Sequence, residues 1–281
     1  MKTIRNPLHR NISFRLFSVL FACVGLLLFA LSCGPEGQSG DARQAASADT
    51  LSAQQHFQAG LQSLYQKWDY AAARTHFERA IELDPDFAPA HAHYAWYLEL
   101  EGRFPEAVEH AKRARDLQPD NAVFQGWAGW ICFDAGDLAC AETELLRALE
   151  MNPGLPGPRM IMGNLEARRG NKEAAADWFM QLGKDSAQLI QQAHAYALRG
   201  EEAEALAVVE EVLARESPEQ YINIATVYAH LGEREAALDM LERAYESHHE
   251  YMPFLPLITW FEPLHEDPRF VAIMDKVGRA S

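Results

Sequence analysis

This sequence has little of what catalysis, a β-rich fold or nucleic-acid binding requires. It holds no Gly-rich phosphate loop, no nucleophile elbow and no His-Glu-x-x-His pair, so the motifs that announce an enzyme or a catalytic metal are missing. Runs of Val, Ile and Thr at period two are almost absent, which argues against sheet, while Ala, Leu and Glu are abundant, which argues for helix. Positive charge is scarce: 25 Lys and Arg face 40 Asp and Glu, a formal charge of −15. Lys2, Arg5, Arg10 and Arg15 are the only charged residues before Cys33, so the chain that follows is four units more negative still. Such a body opposes nucleic-acid binding, which needs cations to displace counterions from phosphates, and favours basic or neutral partners.

Cysteine is scarce too, with Cys23, Cys33, Cys132 and Cys140. Cys132 and Cys140 fall on two facing helices, where an oxidising compartment would let them pair, although small buried free cysteines are the commoner state at helix contacts. The histidine doublets His91 with His93 and His248 with His249 do not place both rings on one helical face. No metal, no cofactor and no enzymatic activity are therefore expected.

Long apolar runs are limited to Leu16 to Ser32, which follows the four basic residues and ends in Phe29-Ala30-Leu31-Ser32-Cys33-Gly34. Its length suits the core of a signal peptide and is marginal for a spanning helix. The ending resembles the lipobox of bacterial lipoproteins. That resemblance implies that residues 1–32 are a signal peptide, that Cys33 becomes a lipidated N-terminus carrying acyl chains such as palmitate, and that the protein is held to the cell envelope. Gly34 in place of Asp then favours the outer membrane, facing the periplasm. The alternative is an uncleaved anchor helix, which would make the chain an interaction module of a signalling or regulatory system. Residues 33–53, small and polar without apolar periodicity, read as a lipidated N-terminus and flexible tether.

From residue 54 a unit recurs. Ala88 to Pro119 reads as two antiparallel helices joined at Gly102-Arg103, with Tyr94, Leu98 and Leu117 between them and Pro119 stopping the second. Aligned turns fall at Trp68-Asp69, Gly102-Arg103, Gly136-Asp137, Gly170-Asn171, Gly200-Glu201 and Gly232-Glu233, and Pro85, Pro119 and Pro153 recur at an interval of 34. Ala73, Ala107, Ala141, Ala175, Ala205 and Ala237 stand five positions after each turn residue, and Ala80, Ala114, Ala148 and Ala244 recur later, with Leu182 and Val212 as bulkier departures.

This pattern resembles the tetratricopeptide repeat. The resemblance implies an all-α, right-handed α-solenoid of about six helix-turn-helix units over residues 54–249, closed by a C-terminal cap over residues 250–281. The interval from Gly170 to Gly200 is four residues short, so the second helix of unit four should end near Gly183. The prolines and glycines between Asn152 and Pro158 should delay the helix that follows them. The segment from Phe261 to Phe270 is similar to the one that closes such repeats in bacterial regulatory proteins. Within the cap, Asp267 suits an N-cap, Pro268 the first helical position, and Phe270, Ile273, Met274 and Val277 an apolar stripe.

In this family the first helices line a concave groove that receives a segment of a partner protein. Distance from each turn places Tyr65, Trp96, Trp130, Phe133, Asn164, Arg168 and His194 in that groove, along with Glu99, Asp134, Thr226 and His230. The groove is aromatic and polar with little positive charge, which argues against the Lys, Asn and Arg clamp by which chaperone-binding members hold a terminal carboxylate. Trp96 and Trp130 stand at equivalent positions in adjacent units, either as a hot-spot platform or as packing between neighbouring helices. The function expected is that of a membrane-tethered adaptor or scaffold binding a protein or peptide partner, and no nucleic acid.

Overall fold

The structure, a computed structural model, describes residues 51–183, 186–215 and 217–278. The leader, Cys33 and nearly all of the tether lie outside the described residues. Six helical hairpins follow one another. They are α1 (Ala53–Leu61) with α2 (Tyr70–Leu83), α3 (Ala88–Leu100) with α4 (Phe104–Leu117), and α5 (Ala122–Asp134) with α6 (Leu138–Met151). Then come α7 (Pro156–Arg168) with α8 (Lys172–Met180), α9 (Ser186–Leu198) with α10 (Glu202–Leu213), and α11 (Tyr221–Leu231) with α12 (Arg234–Glu246). No strand occurs among the described residues, and no helix there is long and apolar enough to cross a membrane.

The small-residue positions explain why the hairpins close. Ala73, Ala107, Ala141, Ala175, Ala205 and Ala237 are fully buried, as are Ala80, Ala114, Ala148 and Ala244, so each pair of helices meets where neither backbone carries bulk. At two places even alanine is too large: a Cβ on Gly60 would lie 2.6 Å from the Phe77 ring, and one on Gly163 would lie 2.5 Å from the Phe179 ring. Each turn glycine from Gly102 to Gly232 has φ between +70° and +82°. There the next N–H reaches back to a carbonyl five residues earlier, as Arg103 N does to Leu98 O at 2.9 Å, which ends the first helix and turns the chain. Asp69, Asn121 and Asp137 then cap the helices that follow them.

Two features of the fourth hairpin separate pattern from outcome. Helix α8 is short, ending at Met180, as the four-residue deficit requires. Helix α7 is not delayed: Pro156 occupies its first position, and the helix starts three residues after Pro153, as α3 and α5 do after Pro85 and Pro119. Proline at the first helical position gives up no hydrogen bond, so the run of prolines initiates the helix instead of postponing it.

Beyond α12 the chain does more than cap. Two 3-10 turns, Met252–Leu257 and Thr259–Leu264, carry Pro253, Pro256 and Pro263, which rule out a regular α-helix there. Helix α13 (Pro268–Val277) follows, with Asp267 capping Arg269 N and Phe270, Ile273, Met274 and Val277 buried, as the stripe predicts. They pack with Leu238, Leu241 and Phe261 over the last hairpin. Arg269 spans α12, pairing with Glu235, Asp239 and Glu242 at 2.7 to 2.9 Å.

The last elements also touch the first. Tyr70 Oη donates to Val277 O at 2.9 Å, His248 Nε2 lies 2.6 Å from Gln66 O, and the Trp68 ring stacks on His248. The array therefore closes upon itself through its first and sixth hairpins.

Candidate functional site

The groove predicted from the turn spacing contains peptide. It is occupied by the chain's own inner segment, residues 250–264. Phe254 is buried with its ring stacked on Tyr65 at 6.3 Å and edge-on to Trp96 at 6.0 Å. Six residues on, Trp260 stacks on His230 at 4.2 Å and on His194 at 4.8 Å. Between them Thr259 Oγ1 lies 3.5 Å from Arg168 Nη2. The segment thus uses two aromatic anchors, one toward each end of the array, on side chains the spacing assigned to the groove.

Trp96 and Trp130 meet edge to face at 4.9 Å, and Trp127 meets Trp96 at 6.0 Å, so the two equivalent indoles pack on one another as one aromatic floor. Phe133 is buried under the Arg168 guanidinium, 4.6 Å from its ring centre, and Arg168 Nη1 donates to Phe133 O at 3.0 Å. Arg168 is thereby committed to the third hairpin and to the inner segment. Asn164 Oδ1 is buried and makes no hydrogen bond.

His194 is enclosed, at 1% exposure. Its Nε2 lies 3.0 Å from Thr226 Oγ1, whose own hydrogen is given to Asn223 O at 2.7 Å, so His194 Nε2–H is the donor. Nδ1 is then left to accept from His230 Nδ1–H at 3.1 Å. Both rings are neutral in this arrangement, and burial agrees: it holds His194 well below the usual imidazole range and His230 down to about 4. A like pair joins His91 and His110 at 2.8 Å, with His91 Nε2 donating to Pro85 O at 3.0 Å. The sequence doublets hide this, because the partner of each ring stands on another helix.

The spacing also placed Glu99 and Asp134 in the groove without marking them. Glu99 is 1% exposed, and neither carboxyl oxygen has a hydrogen-bond partner. Burial, reinforced by Asp134, pushes it well above the usual carboxylate range. Burial lifts Asp134 to about 7 against the opposing pull of Arg168 and the Trp130 indole. No group of three or more metal-binding side chains occurs among the described residues.

Outside the groove, Cys132 and Cys140 are joined as a disulfide, with their Cα atoms 5.8 Å apart, inside the usual span for such a bridge. The residues flanking the turn at Gly136 bring the two sulfurs together, which outweighs the general tendency of small buried cysteines to stay free.

Comparison with known proteins agrees with this geometry. A tetratricopeptide-repeat family model matches residues 59–122 and 101–156, and a second tetratricopeptide-repeat model matches residues 187–211 and 221–243, together just over half of the chain. Mitochondrial import receptor subunit TOM70 of Homo sapiens and that of Rattus norvegicus are each 30% identical over 128 residues, 45% of this chain and 21% of theirs. The chain spans about a fifth of the length of these curated relatives. Among solved structures, a chain of the APC/C hetero-tetramer Cut9-Hcn1 superposes with a TM-score of 0.52 at 19% identity, covering 75% of this chain and 43% of that one, a likeness of fold alone. Six helical hairpins, five of them turned at glycine, with alanine recurring at the helix contacts, and repeat matches in both halves, show that the chain belongs to the tetratricopeptide-repeat family.

Proposed function

We propose that this protein is a non-catalytic adaptor of the bacterial cell envelope, lipid-anchored through Cys33, whose groove binds a segment of a partner protein. The observation that carries the groove assignment is its occupant: Phe254 and Trp260, on a proline-kinked segment, rest on Tyr65, Trp96, His194 and His230. A surface that holds one aromatic, proline-kinked peptide has the shape and chemistry to hold another. The inner segment then acts as a resident competitor that a partner displaces. A receptor subunit appears among the relatives, which is in keeping with protein recognition. Localisation rests on the basic leader, the apolar run and the Ser32-Cys33-Gly34 junction.

Photocrosslinking in the native cell tests the reading, with a benzophenone side chain at Trp130 and a matched probe at Arg113 on the outer surface. A defined adduct to another protein from Trp130 and none from Arg113 is expected; equal labelling, or none beyond the chain itself, would contradict it. Mass measurement of the Cys33→Ala form tests the anchor, since a lipoprotein altered in this way retains its leader.

A further inference from the structure

The inner segment satisfies the aromatic part of the groove and leaves its acidic part unsatisfied. Glu99 on α3 is enclosed with both oxygens unpartnered, Asp134 on α5 is its charged neighbour, and Asn164 Oδ1 on α7 is a further buried acceptor without a donor. A buried carboxyl without a partner is costly, and sites of this kind are normally filled by a donor or a counter-charge. Asp134 is drawn by Arg168 and by the Trp130 indole, but no neighbour supplies a donor to Glu99. On the floor stand Tyr65, whose phenol is pushed up by burial and by Tyr251, Glu250 and Glu99, and Arg168, whose guanidinium is spent on Phe133 and Thr259. From the inner segment come Glu250 and Tyr251, which bring acidity and no positive charge. From residue 250 to residue 264 the segment holds no Lys, Arg or His.

We propose that Glu99 and Asp134 form a receptor for a basic side chain, so that the partner segment carries a lysine or arginine beside the aromatic residue that takes the place of Phe254. The proposal rests on the groove reading above and names the chemistry of its ligand. Four observations meet in it: the unpartnered buried carboxyl, the second carboxyl next to it, the indole floor formed by Trp96 and Trp130, which favours cations over its faces, and a body whose net charge attracts basic segments. A lysine or arginine enclosed there supplies the missing donors and the counter-charge together, and such charge-assisted bonds are about twice as strong as neutral ones. The resident segment, lacking that residue, is built to be outcompeted by a ligand that has it.

The test uses the full chain carrying Phe254→Ala and Trp260→Ala, which weakens the resident segment while leaving its core residues Met252, Leu255 and Phe261 in place. Two labelled peptides spanning residues 250–264 are titrated, one with the native sequence and one with Glu250→Lys, the position whose charge lies beside Tyr65 together with that of Glu99. The lysine peptide is expected to bind at least ten-fold more tightly, and the advantage is expected to vanish when Glu99→Gln and Asp134→Asn are added. Equal affinity of the two peptides overturns this inference and leaves the groove reading standing; failure of both to bind overturns both. Should the double variant not fold, the same question is put to the otherwise native chain. There Glu250→Lys should raise the melting temperature above that of Glu250→Gln when Glu99 is present and not when it is Gln, and an equal temperature for the two substitutions overturns the inference.

Discussion

Trp68 and His248 lie ring on ring, 3.8 Å between centroids and 11° from parallel, and each holds a backbone φ of +53°. They are the two non-glycine residues at positive φ among the described residues. Trp68 stands where the later hairpins carry glycine, and His248 ends α12 in the same way. Both accept a conformation that costs an ordinary side chain about 1 kcal/mol or more. Their rings join the first hairpin to the last, which is what that cost secures.

A ranked series tests this lock. Trp68→Gly removes the backbone strain and the stack together, whereas Trp68→Ala removes the stack and keeps the strain. Both variants should melt below the native protein, with the alanine form the less stable of the two by about 1 kcal/mol. An alanine form as stable as the native chain would mean that the ring contact contributes nothing to closure.

The close approach of α7 to α8 is equally exposed to test. Gly163→Ala places a methyl 2.5 Å from Phe179, a fully buried ring, so overpacking should cost about 1–3 kcal/mol. Adding Phe179→Leu should recover part of the loss. Gly136→Ala offers the contrast, since nothing lies within 4 Å of the added carbon and only its φ of +80° is opposed. Chemical denaturation of the three variants should show recovery by the second substitution at Gly163 alone.

Two sets of buried groups pull the pH dependence in opposite directions. Asp134 binds its proton more tightly folded, near 7, than unfolded, near 4. Its protonation therefore stabilises the fold fully below about 4, and that contribution is lost as pH rises to about 7. His230, held down to about 4 and near 6.5 when unfolded, contributes stability above about 6.5 that is lost as pH falls toward 4. Asp134→Asn should thus stabilise the protein at pH 8 relative to its effect at pH 4.5, by about 3 kcal/mol. Denaturant titrations at the two pH values check it, and an unchanged difference would contradict the burial of this carboxyl.

The repeats were legible because their cause is local. A glycine at positive φ, an alanine at each helix contact and an acid at a helix start leave a period that survives in the sequence, and even the early end of α8 follows from a four-residue deficit. The stripe from Phe270 to Val277 was legible for the same reason. What the period conceals is contact between distant residues. Phe254 and Trp260 follow no repeat, and nothing near them in sequence states that they meet Trp96 and His194. The Cys132–Cys140 bridge and the imidazole pairs depend on side-chain direction across two helices, which spacing along one helix cannot give. Glu99 was placed in the groove by its distance from Gly102, but its want of a partner becomes visible only when every neighbour is in position.

The most direct test of the account is intramolecular crosslinking in the purified protein, with a benzophenone side chain replacing Trp96 and the adduct mapped by peptide mass spectrometry. The account predicts a monomeric adduct between position 96 and the segment around Phe254, suppressed when Phe254→Ala and Trp260→Ala loosen that segment. An adduct to another part of the chain, or a groove position that labels nothing in cis, would contradict the claim that the C-terminal segment fills the groove.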